Sequence, residues 1–344
     1  MKLFVSAVGA ALLVIAASGA SAANSPLPAH VYAPYYETYL GSATPTISAT
    51  AQASGARYFT LAFIQSAGKG SCTPTWNGNA FQPITPTSGQ YAQDIAGLRT
   101  LGGDVIPSFG GYSADHGGTE IADSCKDVHQ IAAAYEAVIS DYGVTRLDMD
   151  VESRSLDNTA GIDRRNKAIA LTEQWAAANN IPLQIQYTLP VEPYGLDPNG
   201  MAVLQNAVTN GARVDSVNIM VFDYYQRRQG TVDMGQAAVN AATNTNAQLA
   251  TIYPSLAPAQ LWAMEGMTLL PGIDDFPKKT EVTSLHPDAQ TMLDFAEANG
   301  MNFLSIWAIQ RDNGGCPGTT DSNTCSGITQ NDWDFSHLLE PFTG

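Results

Sequence analysis

Apolar stretches of strand length recur along this chain, at residues 30–36 (HVYAPYY), 58–64 (YFTLAFI), 104–110 (DVIPSFG), 146–152 (RLDMDVE), 183–189 (LQIQYTL), 216–222 (SVNIMVF), 261–269 (LWAMEGMTL) and 303–309 (FLSIWAI). Between most of them the polar and apolar positions follow a helical period, as at 127–143, 163–180 and 287–300. The last two segments close on Asn or Gly, as a helix end should. Eight runs starting roughly 30 to 45 residues apart predict an α/β protein built as a (β/α)8 TIM barrel, in a single domain spanning 26–344. An open doubly wound sheet has the same alternation, but neither GxGxxG nor GxxxxGK[ST] follows the first run. The segment 65–89, QSAGKGSCTPTWNGNAFQPITPTSG, fits neither period. A long loop of this kind after a barrel strand is expected to build a binding cleft.

Residues 1–22, MKLFVSAVGAALLVIAASGASA, carry Lys2, a short apolar run and the small-residue ending Ala20-Ser21-Ala22, the pattern of a secretory signal peptide. The mature protein is therefore expected to be extracellular. No later stretch reaches the roughly 18 continuous apolar residues of a membrane span. Sixteen Lys and Arg stand against 32 Asp and Glu, a net charge of -16. That balance argues against nucleic acid and anionic membranes as partners and suits a neutral substrate. A monomer is expected. Four cysteines in a secreted chain imply two disulfides; the expected pairs are Cys72 with Cys125, tying two loops, and Cys316 with Cys325, closing a short polar loop. None has metal-ligand spacing, and His30, His116, His129, His286 and His337 are scattered, so no metal and no cofactor is expected.

The run LDMDVES places Asp148, Asp150 and Glu152 at alternate positions between Leu147, Met149 and Val151. Extended, it puts three acids on one face, neighbours about 7 Å apart. The pattern fits a strand with one solvated acidic face, a cation site, or a catalytic acid cluster whose members raise one another's pKa. In a barrel the functional side chains gather at the C-terminal strand ends, which favours the third and places Glu152 at the mouth.

Asp148, Asp150 and Glu152 resemble the DxDxE core of glycoside hydrolase family 18, the chitinase family. The likeness extends over nearly the whole mature chain: Ser108-Phe109-Gly110-Gly111 is similar to the SxGG motif of its third strand, Met220-Val221-Phe222-Asp223-Tyr224 to its sixth-strand motif, and Trp307 to the Trp of its eighth. Two departures are visible. Thr145 stands where many members carry a further Asp, and Phe222 stands where many carry Tyr before the Asp, which leaves Tyr224 as the expected substitute hydroxyl. The resemblance implies a retaining, substrate-assisted hydrolysis of N-acetylglucosamine linkages in chitin or its oligosaccharides, an exception to the usual two-carboxylate scheme. It makes Glu152 the general acid and base and turns Asp150 toward the acetamido group. Asp148 shares a proton with Asp150, and Asp223 and Tyr224 bond to the acetamido group or to Glu152. Trp307 is the floor under the sugar; Tyr35, Phe63, Ser108, Gly110, Gly111 and Met220 complete the expected binding site. An endo-β-N-acetylglucosaminidase acting on N-glycan cores uses the same acids, and an inactive chitin-binding lectin or inhibitor would keep the barrel.

Overall fold

A computed structural model describes residues 24–84, 91–224, 232–275, 280–320 and 322–344. The leader-like segment 1–22 lies outside them, as do positions 85–89 of the long loop. Twelve strands occur among the described residues: β1 (Val31–Tyr32), β2 (Tyr35–Glu37), β3 (Tyr58–Ser66), β4 (Pro74–Trp76), β5 (Asp104–Gly110), β6 (Arg146–Asp150), β7 (Gln184–Pro190), β8 (Ser216–Met220), β9 (Glu265–Leu269), β10 (Gly272–Ile273), β11 (Val282–Thr283) and β12 (Phe303–Ile306). The expected barrel is present. In the main sheet the order is β1-β12-β9-β8-β7-β6-β5-β3-β2, every step parallel.

The first apolar run closes the ring by serving both ends of that ladder. Its first half pairs Val31 with Phe303 and Tyr32 with Leu304, and its second half pairs Tyr35 with Thr60. Ala33 and Pro34 separate the halves, and Pro34 has no N–H to give either neighbour. Instead Ala33 N–H donates to Leu304 and the Pro34 carbonyl accepts from Thr60.

Side-chain alternation then sorts the chain into two cores. Outward residues such as Leu147, Met149, Ile185, Tyr187, Val217 and Ile219 are fully buried against the helices. The helix Val128–Tyr142 shows why these segments dock: Asp127 caps its first N–H groups, Gly143 ends it at φ 61°, and Ile131, Tyr135, Val138 and Ile139 form its buried stripe. Inward, the floor is an apolar plug of Val31, Ala33, Ile106 and Phe303, with Arg146 6.0 Å from the Phe303 ring. Above the plug the interior turns polar. Gln186, Thr188, Asn218 and Thr268 are buried there, and Asn218 bonds Thr188 at 3.0 Å and Thr268 at 2.8 Å.

The long loop contributes β4, antiparallel to the end of β3, and Trp76 buries its ring while donating to the Tyr142 hydroxyl at 2.9 Å. Both expected disulfides, Cys72–Cys125 and Cys316–Cys325, are formed. No helix among the described residues is long and apolar enough to cross a membrane.

Candidate active site

Register fixes the acids. On the side of β5, Ser108 lies opposite Asp148 and Gly110 opposite Asp150; on the side of β7, Gln186 and Thr188 take those places. Four side chains therefore converge on Asp148: Ser108 at 2.6 Å and Tyr35 at 2.9 Å to Oδ2, Thr188 at 2.7 Å and Gln186 at 3.1 Å to Oδ1. Tyr35 and Thr188 also lie 2.8 Å from each other. Burial raises the Asp148 pKa, while the four donors around it work the other way and favour its ionised form.

Asp150 has no such support. It is buried, its Oδ1 has no hydrogen-bond partner, and burial with the charges of Glu152, Asp148 and Asp115 pushes its pKa well above the carboxylate range. Glu152 follows the end of β6, half-buried, with its pKa raised to about 7 by burial. Its backbone N–H donates to Asp115 at 2.6 Å. Asp115 is itself buried and raised to about 8, chiefly by burial.

These shifts carry a stability consequence. Burial likewise raises Glu37 to about 7 and Glu281 to about 8. Each of these carboxyls binds its proton more tightly folded than unfolded, so the unfolded chain holds fewer protons between the ordinary carboxylate pKa and about 8. Stability must fall as pH rises through that window. The expected result is a Tm several degrees lower at about pH 8 than at about pH 5, measured by calorimetry at constant ionic strength.

The acids open into a cavity of about 740 Å³ whose wall includes Asp150, Glu152, Met220 and Asp223. Its apolar part centres on Trp307. Phe63 stacks on that ring at 5.5 Å and 22°, and Tyr35 meets it edge-on at 5.4 Å. Met220, Phe222 and Leu270 also pack against Trp307. A flat apolar surface beside a group of acids suits a sugar ring, whose carbon face is apolar and whose rim is hydroxylated. Among the described residues no group of His, Cys, Asp and Glu is arranged to hold a metal ion.

Tyr35, Phe63, Asp150, Glu152, Met220, Asp223 and Trp307 thus share one cavity wall. Ser108 is fully buried behind it as a donor to Asp148. The glycines work by close approach. A Cβ on Gly110, at φ 108°, would lie 2.1 Å from the Asp150 carbonyl oxygen, and one on Gly111 would lie 2.5 Å from the Phe63 ring. Tyr224 is not brought into the cavity wall. Asp223 adopts φ 51°, which turns the chain, and Tyr224 packs in the barrel–helix core with its N–H donating to Glu281 at 3.0 Å. The expectation that its hydroxyl replaces the one missing at Phe222 has no support in this geometry.

The 65–89 segment expected to build the cleft does supply Gln65 and Asn77, though neither was singled out, and sequence reasoning passed over Tyr39, Tyr112, Thr188 and Asp275. Thr188 carried a usable signal, since Gln184, Gln186 and Thr188 repeat the alternate-polar pattern of the acid strand. The others lie at strand ends or on loops and helices after them, where no period marks them. Asp275 also pairs with buried Arg311 at 3.0 Å, and Asp223 N–H is held by Asp274 at 3.0 Å.

No family model matches the chain. It is 33% identical over 325 residues to a probable bifunctional chitinase/lysozyme of Escherichia coli, which covers 92% of this chain and 35% of that protein. It is 32% identical over 291 residues to endochitinase 11 of Metarhizium anisopliae, 83% of this chain and 53% of that one. The chain thus spans about a third and about half of these curated relatives. Among solved structures, the catalytic domain of a hyperthermophilic chitinase from Pyrococcus furiosus superimposes with a TM-score of 0.78 at 30% identity, covering 92% of this chain and 96% of that one. A family 18 chitinase from Chromobacterium violaceum, at 14% identity and TM-score 0.57, shares the fold. With a supporting Ser and two close-packed glycines behind a cavity that joins the acid strand to an aromatic floor, the chain belongs to the glycoside hydrolase family 18 chitinases.

Proposed function

We propose that this protein is a secreted, endo-acting chitinase that hydrolyses β-1,4-N-acetylglucosamine linkages with retention of configuration, using the substrate's own acetamido group as nucleophile. The observation that carries the mechanism is the state of Asp150. A nucleophile must be ionised, whereas Asp150 is buried between Glu152 and Asp148 with its pKa driven well up and one oxygen unpartnered. A protonated Asp150 is a hydrogen-bond donor. Turned toward the sugar, it would orient the acetamido group and, on yielding its proton toward Asp148, stabilise the cationic cyclic intermediate. Glu152, with its pKa near 7, would protonate the leaving oxygen and then deprotonate the incoming water. Trp307, stacked on Phe63, would carry the apolar face of the sugar and the acetamido methyl.

Secretion rests on the leader-like 1–22 segment together with two disulfides. The solved Pyrococcus relative has been crystallised, as catalytic-site mutants, with chito-oligosaccharides, which supports the same substrate class here.

The test compares chitin oligosaccharides, fully deacetylated chitosan oligomers and an N-glycopeptide, with proton NMR of the nascent product. Chitin oligosaccharides should be cut to a product that first appears as the β-anomer, and the deacetylated oligomers should resist. An initial α-anomer would mean direct attack by water and end the substrate-assisted assignment. Faster cleavage of the glycopeptide would move the substrate class to N-glycan cores.

A further inference from the structure

Behind Glu152 runs a buried hydrogen-bond chain that neither the acid strand nor the motifs include. Asp115, on the short helix Tyr112–Gly117, accepts the backbone N–H of Glu152 on Oδ2 at 2.6 Å. Its Oδ1 lies 2.7 Å from the Ser155 hydroxyl, and the same hydroxyl lies 2.5 Å from Asp123 Oδ2. Asp123 is held in turn by Asn158, whose amide donates to Oδ1 at 2.8 Å. Ser155 has one hydrogen and faces two carboxyl oxygens, so one carboxyl must bring its own. Asp115 is the more buried of the two, and burial raises its pKa to about 8, so the extra proton falls to it.

We propose that Asp115 is a positioning residue for the general acid: as a neutral carboxylic acid it grips the Glu152 backbone with one oxygen and anchors that turn to Asp123 through Ser155 with the other. The inference rests on Glu152 being the general acid. The groups around Asp115 explain the protonated form. Asp150 and Glu152 face it from the end of β6, Asp123 from the segment Ile121–Ser124 and Glu120 from the residue before that segment. Arg165, which pairs with Glu120 at 2.9 Å, lies on the helix Thr159–Ala178; Tyr112 and His116 share Asp115's own helix. Acids outnumber the one buried cation, which is already matched. A second negative charge beside Glu152 would also hinder that residue from giving up its proton and carrying charge itself.

The test uses Asp115→Asn, Asp115→Ala and Ser155→Ala in the full chain, assayed on chitin oligosaccharides from about pH 5 to about pH 9. Asn reproduces the neutral acid, its amide donating to Ser155 and its oxygen accepting from Glu152. D115N should keep kcat within about threefold of wild type near pH 6, because no hydrogen bond is lost. D115A should lower kcat about 10²-fold with little change in KM, since a small misplacement of a catalytic group is that costly. The wild-type alkaline limb of kcat/KM should lose two protons above about pH 8 and the D115N limb one. A D115N enzyme as impaired as D115A, or identical alkaline limbs, would overturn the neutral-acid assignment; wild-type kcat in D115A would overturn positioning. If D115A does not fold, S155A carries the same test, with kcat reduced about tenfold by loss of the anchor and wild-type kcat counting against the proposal. Glu152→Gln, run alongside, separates the two ideas: activity in that variant removes the underlying mechanism, whereas an inactive E152Q beside an unimpaired D115A removes only the role of Asp115.

Discussion

Replacing Glu152 by Gln should lower kcat on chitin oligosaccharides by at least about 10³- to 10⁴-fold while leaving oligosaccharide binding close to wild type. Gln has the same size and reach but no transferable proton, and the group is needed twice, as acid and then as base. Binding should survive because the Trp307–Phe63 platform does not depend on the carboxyl. Since burial holds Glu152 near pKa 7, wild-type kcat/KM should also fall as pH rises through that value, when the acid form is lost. Single-turnover kinetics with calorimetric titration of a chitin oligosaccharide separates the two quantities. Turnover within tenfold of wild type would assign the proton to another group.

Asp150→Asn should lower kcat by about 10²- to 10³-fold, the usual scale for losing one electrostatic contact to a developing charge. The amide can still orient an acetamido oxygen but cannot yield a proton toward Asp148, so it cannot counter the cationic intermediate. The same variant should be more stable than wild type at about pH 8, because it removes a buried carboxyl that resists ionisation between Glu152 and Asp148. Activity and Tm should therefore move in opposite directions. A variant that lost both would mark Asp150 as part of the scaffold instead.

How much of this was legible beforehand depended on whether a residue's role is written in a period. The alternation of Asp148, Asp150 and Glu152 against Leu147, Met149 and Val151 placed one set in the barrel and the other against the helices, as found. Cysteine spacing and loop composition yielded both disulfides. Tyr224 misled because adjacency to Asp223 says nothing of direction once a residue takes positive φ. Asp115 was invisible for a different reason. A single Asp in a six-residue helix has no pattern, and its place behind Glu152 depends on where β5 ends and the chain turns at Gly110 and Gly111. Proton counting around Ser155 needs coordinates, because it turns on who stands within 3 Å of whom.

The seam that joins Val31–Tyr32 to Phe303–Leu304 has a consequence for the growing polypeptide. The two sides of that joint are made at opposite ends of synthesis. Until Phe303–Ile306 has left the ribosome, both β1 and β9 are open edges with unpaired N–H and C=O groups, a template for pairing with other chains. Most of the strand ladder can assemble sequentially, each strand on the one before, but the ring cannot. A nascent chain of this protein therefore passes most of its synthesis as a curled, unclosed sheet. Chaperone demand should peak just before the eighth barrel strand arrives, and stop codons placed ahead of residue 303 should yield aggregates where the full chain does not.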